Sequence, residues 1–96
     1  MKMFCVVYAD YLDESITNAF KQAGYKKYTK MHDETGEGEK SKAKLGTFTS
    51  PGRNKSLLMA LPDEEIPRLL EIVQRLRGEH PDAGFHAFTF KMEEYI

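Results

Sequence analysis

The sequence predicts an α+β fold in which two helices cover one face of a four-stranded antiparallel sheet. Along the 96 residues, two amphipathic helical segments alternate with four short strand-like segments in the order βαββαβ. Each helix follows one strand and precedes another, an order typical of the ferredoxin-like layout. The length fits one domain, which we expect to span residues 1–96.

The first half of the chain supplies two strands and one helix. The apolar run Met3–Ala9 predicts the first strand. Asp13–Ala23 has apolar residues at helical spacing, with Asp13 as the expected N-cap and Gly24 in the C′ position that ends the helix. Tyr25–His32 is expected to form the second strand, and its three lysines indicate an edge position.

The second half repeats this plan. Lys55–Leu61 predicts the third strand, which Pro62 closes, and Phe85–Met92 predicts the fourth. The helix between them has Pro67 in its first turn and is expected to stop at Gly78. Its predicted apolar stripe consists of Ile66, Leu69, Leu70, Val73 and Leu76.

Both faces of the predicted sheet are apolar. Alternate residues of a strand project to opposite faces, and each of three strands places apolar residues on both. The first strand divides into Met3, Cys5, Val7 and Ala9 against Phe4, Val6 and Tyr8. The third strand divides into Leu57, Met59 and Leu61 against Leu58 and Ala60, and the fourth into His86, Phe88, Phe90 and Met92 against Phe85 and Ala87. Two helices cover one face only, so the other would expose on the order of several hundred Å² of apolar surface. We therefore expect a homo-oligomer packed through the sheet; the alternative is that scattered apolar residues on that face are tolerated.

Composition excludes several classes of protein. A net charge of −1 argues against nucleic-acid binding, which normally requires a basic excess. The longest apolar runs fall far short of the ~20 residues that span a bilayer, and the N-terminus does not resemble a secretory signal, so a cytoplasmic protein is expected. The lone cysteine, Cys5, is expected to be a buried structural thiol.

A long polar segment, Asp33–Asn54, joins the second and third strands and exceeds what a hairpin needs. Its charges are segregated: Glu37 and Glu39 precede lysines at every second position, Lys40, Lys42 and Lys44. In an extended conformation these lysines would share one side and could contact an anionic ligand or a partner surface. A solvated loop is the competing interpretation.

The end of this segment is a candidate ligand site. Gly46 and Gly52 permit a positive φ or a close approach of the backbone to a ligand. Thr47 adds a hydroxyl, Arg53 a planar fork suited to phosphate or carboxylate, and Asn54 an amide. Together these residues could bind a small anion. A hairpin turn with a bulge would use the same residue types.

Catalytic and metal-binding patterns are weak. His32 stands beside Asp33 and Glu34 and could coordinate a divalent metal, with His86 or His80 joining it across a subunit cleft. No spacing motif supports this, and a surface His32 and a packed His86 are the alternatives. No nucleophile and base occur at a recognisable spacing, and no Walker-type loop is present, so an enzyme is not expected.

In its layout, its long second loop and the run Gly36–Asn54, the chain resembles the P-II-like signalling proteins, relatives of the nitrogen-regulatory P-II proteins. Gly46-Thr47 and Pro51-Gly52-Arg53-Asn54 are the more specific part of the resemblance. It implies a homotrimer with the sheets lining the centre and a small effector in the clefts between subunits. It also implies a projecting T-loop, at about 33–54, that controls a protein partner such as a transporter or an enzyme.

The chain departs from the nitrogen-regulatory P-II proteins before the fourth strand. Those proteins hold nucleotide phosphates there with a glycine-lysine loop, whereas Asp82–His86 contains no lysine. The segment 33–54 also lacks a tyrosine, which argues against regulation by uridylylation. The sequence therefore leaves the effector and any nucleotide undecided. The alternative is a metal-binding trimer similar to the CutA-type divalent-cation tolerance proteins, with His32 and His86 as candidate ligands.

Overall fold

A computed structural model describes residues 1–32 and 54–96. Four strands form one antiparallel sheet in the order β2-β3-β1-β4, and the chain order βαββαβ confirms the predicted α+β fold class. The elements are β1 (Lys2–Ala9), α1 (Asp13–Gln22), β2 (Thr29–His32), β3 (Asn54–Leu61), α2 (Ile66–Glu79) and β4 (Phe85–Lys91), with 3-10 turns at Asp10–Leu12 and Asp63–Glu65.

The start of α1 differs from the prediction. A 3-10 turn, Asp10–Leu12, carries the chain directly from β1 into the helix, and Leu12 occupies the N-cap position without a side-chain hydrogen bond. Asp13 is the first residue of the helix and already has helical dihedral angles, so the prediction that it caps α1 is wrong. Its carboxylate makes tertiary contacts instead.

The end of α1 confirms the prediction for Gly24. Gly24 has a φ of +99°, its N–H bonds to Lys21 O at 2.9 Å, and Tyr25 N–H bonds to Phe20 O at 2.9 Å. These two bonds form a Schellman motif, which satisfies carbonyl groups at the helix end and requires a residue with positive φ. Glycine adopts that conformation without strain.

Residues 25–28 are not part of β2, which is therefore shorter than predicted. Tyr25 is buried, and its hydroxyl donates a 2.6 Å hydrogen bond to the Glu65 carboxylate. The Arg68 guanidinium lies 5.4 Å from the Tyr25 ring centroid and donates to the Ala23 carbonyl at 2.9 Å. These contacts attach the segment after α1 to the beginning of α2, which prevents it from continuing the strand.

In α2 the predicted apolar stripe is corrected at one position. Leu70 is 42% exposed, while Ile72, which the prediction omitted, is 7% exposed and packs in the core. Leu69 is fully buried, and a neighbour one residue later is rotated by about 100° around the helix axis, away from the sheet. Ile72 is three residues beyond Leu69 and so returns to the buried side.

The end of α2 is also corrected. The helix continues through Gly78 to Glu79, and His80 N–H still bonds to the Leu76 carbonyl at 2.9 Å. His80 leaves the helical region, with φ −131° and ψ 66°. It precedes Pro81, and a residue before proline is disfavoured in the helical conformation. Pro81, not Gly78, therefore ends the helix.

The core lies between the sheet and the two helices. Phe4, Val6, Tyr8 and Leu57 project from the central strands and are fully buried. Phe20 of α1 meets Phe4 edge to face, with ring centroids 5.9 Å apart. Both helices cover this face, and within the described ranges neither has the length and apolar composition that a bilayer crossing requires.

Candidate functional site

A cluster of charged and hydroxyl side chains lies where the sheet meets the start of α1. At its centre, the Asp13 carboxylate accepts hydrogen bonds from Tyr8 Oη at 2.7 Å and from Lys30 Nζ at 3.0 Å. Lys55 Nζ lies 3.3 Å from Asp13 Oδ2 and 3.2 Å from Asp10 Oδ1. We call these five residues the Asp13 cluster.

Strand register brings the cluster together. Lys55 is paired with Tyr8 across β3 and β1, so both side chains project toward the helices. Lys30 is paired with Leu57 and therefore projects to the same face. The 3-10 turn after β1 then places Asp13 over these side chains, and one helical turn later Thr17 Oγ1 donates to it at 3.3 Å. Lys30 and Lys55, which follow Asp13 by 17 and 42 residues in the sequence, thus both contact its carboxylate.

The contacts set the ionisation of the cluster. Burial opposes ionisation of Asp13, but hydrogen bonds from Tyr8, Lys30 and Lys55 outweigh it and lower the pKa of this carboxyl from 3.8 to about 2. Burial, and then the hydrogen bond to Asp13, raise the pKa of the Tyr8 hydroxyl well above its usual value. The hydrogen bond to Asp10 raises the pKa of Lys55, against a smaller opposing effect of burial. At neutral pH Asp13 is therefore a carboxylate and Tyr8 a neutral phenol.

The arrangement fixes the ends of two strands. Lys30 is near the end of β2 and Lys55 near the beginning of β3, and these strands flank residues 33–53. Both lysines are held to the start of α1 by ion pairs. The Asp10 side chain is 46% exposed and that of Asp13 22% exposed. An anion that approaches Lys55 from solvent would therefore compete first with Asp10.

Most of the predicted ligand residues lie outside the described part of the chain: Gly46, Thr47, Gly52 and Arg53, together with the loop residues Glu37, Glu39, Lys40, Lys42 and Lys44. Asn54 is described. It is the first residue of β3, pairs with Ala9, and is the chain neighbour of Lys55. Because consecutive strand residues project to opposite faces, the Asn54 side chain lies on the face away from Lys55, and only its backbone adjoins the Asp13 cluster.

The sequence pattern does not identify the cluster as a site. It predicts a helix cap at Asp13 and an edge position for the lysines of the second strand. A usable signal is the position of Lys55, which alternates in phase with Leu57 and Met59 and therefore belongs to the face that the helices cover. A lysine on a buried face requires a carboxylate partner.

Neither α1 nor α2 covers the second face of the sheet, and we call this side, as formed by residues 1–32 and 54–96, the bare face. Register places its apolar residues in rows across three strands: Phe90, Met3 and Ala60, then Phe88, Cys5 and Leu58. Phe88 is 43% and Phe90 50% exposed, and their ring centroids are 5.8 Å apart. Met31 of β2, on the same face, is 51% exposed. The predicted division of strand residues between two apolar faces is confirmed.

The candidate metal ligands lie far apart in the sheet. His32 is on β2 and His86 on β4, the two edge strands, and His86 pairs with Val7 on the bare face. Within one copy of the chain they do not meet. In residues 1–32 and 54–96 there is no group of three or more histidine, cysteine, aspartate or glutamate side chains arranged to hold a metal ion.

Neither a protein-family model nor a curated protein matches the chain by sequence. Solved structures do match. CPII from Thiomonas intermedia K12, bound to ADP, AMP and acetate, aligns with a TM-score of 0.68 and 21% sequence identity, covering 92% of this chain and 81% of CPII. A Thermus thermophilus protein assigned to the P-II-like signalling proteins aligns with a TM-score of 0.61 and 23% identity, covering 93% of this chain and 82% of its own.

The chain has a P-II-like fold. The alignments cover more than nine-tenths of the chain, so the likeness extends over both βαβ halves and is not confined to one motif. The resemblance that the sequence suggested is thereby confirmed for the fold. In the P-II-like fold, the Asp13 cluster lies at the end of the sheet where segment 33–53 leaves β2 and enters β3.

Proposed function

We propose that the chain is a P-II-like regulatory protein that acts as a homotrimer. Three copies pack through their bare faces, a small anionic effector binds in the clefts between copies, and segment 33–54 contacts a protein partner as a T-loop. The P-II-like fold supports this proposal. The observation that carries it is the uncovered apolar face of the sheet.

The bare face supports assembly on physical grounds. Phe88, Phe90 and Met31 are each roughly half exposed to solvent. They lie on the same face of the sheet as Met3 and Leu58. Burying apolar surface contributes about 25 cal/mol per Å², so covering this face favours association. Exposed apolar patches of this kind usually mark interfaces. A second copy of the same chain supplies a matching apolar face.

The ends of β2 and β3 support an effector site. Asn54 begins β3 and precedes Lys55 in the chain, and Gly46, Thr47, Gly52 and Arg53 fall within the eight residues before Asn54. We assign these five candidates to a site for a small anion at the base of the T-loop. CPII, whose fold is similar, was solved with ADP, AMP and acetate, and these anions are therefore the first ligands to test.

The ionisation of the Asp13 cluster supports binding rather than catalysis. With its pKa at about 2, Asp13 stays ionised at neutral pH and is a weak base, and Tyr8 holds its proton firmly. We therefore propose a regulator and not an enzyme. As a separate part of the proposal, we place the protein in the cytoplasm. The charged residues Glu37, Glu39, Lys40, Lys42 and Lys44 would contact the partner, a transporter or an enzyme.

Sedimentation velocity and calorimetric titration test the proposal. The wild-type protein should sediment as a trimer, and at least one of ADP, AMP, acetate or bicarbonate should bind. Arg53→Ala should weaken that binding at least tenfold, whereas Arg75→Ala, on the exposed side of α2, should leave it unchanged. A stable monomer at micromolar concentration contradicts the assembly, and the absence of heat with every anion contradicts effector binding.

A further inference from the structure

A groove of about 550 Å³ lies between α1 and α2, and we call it the helix groove. Among the residues that the structure describes, its lining comes from α1, from Ala23 at the end of α1, and from α2. The sheet supplies none of this lining, so the helix groove opens on the side of the molecule away from the bare face. It therefore stays accessible when copies associate through the bare face.

The helix groove has an apolar floor of small side chains. Ala19 and Ala23 contribute to it from the end of α1, and Ile72 contributes from α2. Ala19 and Ile72 are buried. Because alanine side chains are small, a partner can approach both helices closely at this point. Gln22 lines the groove beside them, is exposed, and has an amide that both donates and accepts hydrogen bonds.

α2 supplies a charged wall to the helix groove. Arg68, Glu71 and Arg75 all line the groove, and all three are exposed. Residues seven positions apart lie on the same side of a helix, separated by about 10 Å along its axis, and Glu71 lies between the two arginines. The wall therefore presents a positive, a negative and a positive charge in that order.

The Arg68 guanidinium is fixed in position and still has donors for a ligand. Arg68 Nη2 donates to the Ala23 carbonyl at 2.9 Å, and the guanidinium lies 5.4 Å from the Tyr25 ring centroid. Being fixed in this way lowers the entropy that is lost when a ligand binds. A guanidinium has five N–H donors and this carbonyl accepts one, so a carboxylate can bond to others.

The other two charges of the wall are also available. Arg75 contacts Glu79 at 3.8 Å, and both side chains are more than half exposed, so this pair is weak. In the described part of the chain, Glu71 takes part in no ion pair. Its carboxylate opposes a compact anion that would bridge the two arginines, so Arg75→Ala remains a control for the effector titration. A ligand that satisfies the wall instead carries acidic, basic and acidic groups in that order.

We propose that the helix groove is a docking site for a helical segment of another protein, with two acidic residues seven positions apart and a basic residue between them. The acidic residues pair with Arg68 and Arg75, and the basic residue pairs with Glu71. Apolar side chains on the same side of the segment contact the floor at Ala19 and Ile72. One face of an amphipathic helix presents such a set, because positions three, four and seven apart share that face. This surface is distinct from the proposed T-loop contact and goes beyond the proposed function.

A second copy of the chain fits the helix groove poorly. In a two-fold contact, α2 of the other copy would run antiparallel, with its arginines opposite arginines and its glutamate beside Glu71. Like charges facing each other disfavour an interface. A nucleic-acid backbone also fits poorly, because its phosphates meet Glu71 as well as the arginines. A segment with an intervening basic residue avoids both conflicts.

Two alanine-based helical peptides test the docking. The matched peptide has glutamates seven positions apart, a lysine four positions after the first, and leucines on the same side. The reversed peptide has lysines for the glutamates and a glutamate for the lysine. In NMR titrations of the nitrogen-15-labelled protein, the matched peptide should shift the amide signals of Ala19, Ala23 and Ile72. It should bind about fivefold or more tightly than the reversed peptide.

Substitutions in the wall separate docking from a general effect of charge. Arg75→Glu should weaken binding of the matched peptide about tenfold. Lys21→Glu makes the same change of charge at an exposed position of α1 outside the groove lining, and it should change binding by less than about twofold. Replacing one of the two peptide glutamates with lysine should give a peptide that binds Arg75→Glu more tightly than it binds the wild type. This rescue also shows that the variant is folded.

Several results overturn the inference. Equal binding of the two peptides, no shift of the groove amides, or unaltered binding by Arg75→Glu each excludes the proposed docking. If inorganic phosphate or phosphatidylserine vesicles shift these amides and the matched peptide does not, the groove binds a compact anion or a membrane surface instead. A lower mass of Arg75→Glu in sedimentation velocity assigns the groove to a contact between copies. Failure of the effector or T-loop proposals leaves this test unaffected, because its probes are peptides and its readout lies in the helix groove.

Discussion

The Tyr8 hydroxyl donates a 2.7 Å hydrogen bond to the Asp13 carboxylate across the turn that joins β1 to α1. The Tyr8 side chain is fully buried, so this bond satisfies a hydroxyl that water cannot reach. It also helps to hold the pKa of Asp13 at about 2. The lysines that bond to the same carboxylate come from β2 and β3, so one acidic group joins the helix start to three strands.

Replacing Asp13 with asparagine should destabilise the fold. The carboxylate is lost while the size of the side chain is preserved, and Lys30 and Lys55 lose a common ion-pair partner. From the lowered pKa we expect a loss of about 2 kcal/mol in the free energy of unfolding at pH 7, measured by urea denaturation. Glu14→Gln, an exposed carboxylate in the same helix, is the control and should change stability by less than about 0.5 kcal/mol. Equal effects of the two substitutions would disprove the role of Asp13.

The same pKa determines how stability depends on acid. The pKa of Asp13 is about 2 in the folded state and near 3.8 in the unfolded state, so folding favours the carboxylate. Its contribution to stability is complete above about pH 5 and is lost as the pH falls toward 2. Denaturation curves between pH 7 and pH 2 should show this acid limb. The loss of stability between pH 7 and pH 2 should be smaller in Asp13→Asn than in the wild type. An identical loss in both proteins contradicts the assignment of this pH dependence to Asp13.

Tyr8→Phe should destabilise the protein and make it more sensitive to acid. Removing the hydroxyl removes one donor to Asp13, so we expect a cost of about 1–2 kcal/mol and a higher Asp13 pKa. The acid midpoint should therefore move to higher pH, as followed by circular dichroism. Tyr11→Phe is the matched control, because Tyr11 is exposed. An unchanged acid midpoint in Tyr8→Phe would show that the hydrogen bond does not tune Asp13.

Two adjacent leucines should respond very differently to truncation. Leu69 is fully buried beneath α2, whereas Leu70 is largely exposed on the same helix. Leu69→Ala should cost about 2–5 kcal/mol through lost burial and a cavity, and Leu70→Ala less than about 1 kcal/mol in the isolated chain. Thermal and urea unfolding of the two variants measure the difference. Similar losses would mean that the helix is rotated relative to the structure.

Two glycines offer a second matched pair. Gly24 has a positive φ, so Gly24→Ala should destabilise the chain by about 1 kcal/mol through strain. Gly78 lies inside α2, and a Cβ added there would meet nothing within 4 Å, so Gly78→Ala should stabilise by about 0.5–1 kcal/mol. Opposite signs in denaturation experiments are the expected result. A stabilising Gly24→Ala contradicts the Schellman motif.

Local sequence patterns were sufficient to predict the fold. Residue periodicity predicts the four strands and two helices in order, Gly24 marks the end of α1, and alternation divides the strand residues between two apolar faces. These features depend on contacts within one element or on its period, which a short stretch of sequence contains. The errors are the cap at Asp13, the stop at Gly78, the start of the second strand, and the choice of Leu70 instead of Ile72 for the buried stripe of α2.

The sequence by itself therefore determined the order of the elements and the presence of a second apolar face on the sheet. Only the tertiary structure decided that Asp13 bonds to lysines 17 and 42 residues away and that Tyr25 lies outside β2 and bonds to Glu65. Such contacts depend on strand register and on how the helices cross the sheet. Neither is encoded in the spacing of neighbouring residues, because each arises from packing between segments that are distant in the chain.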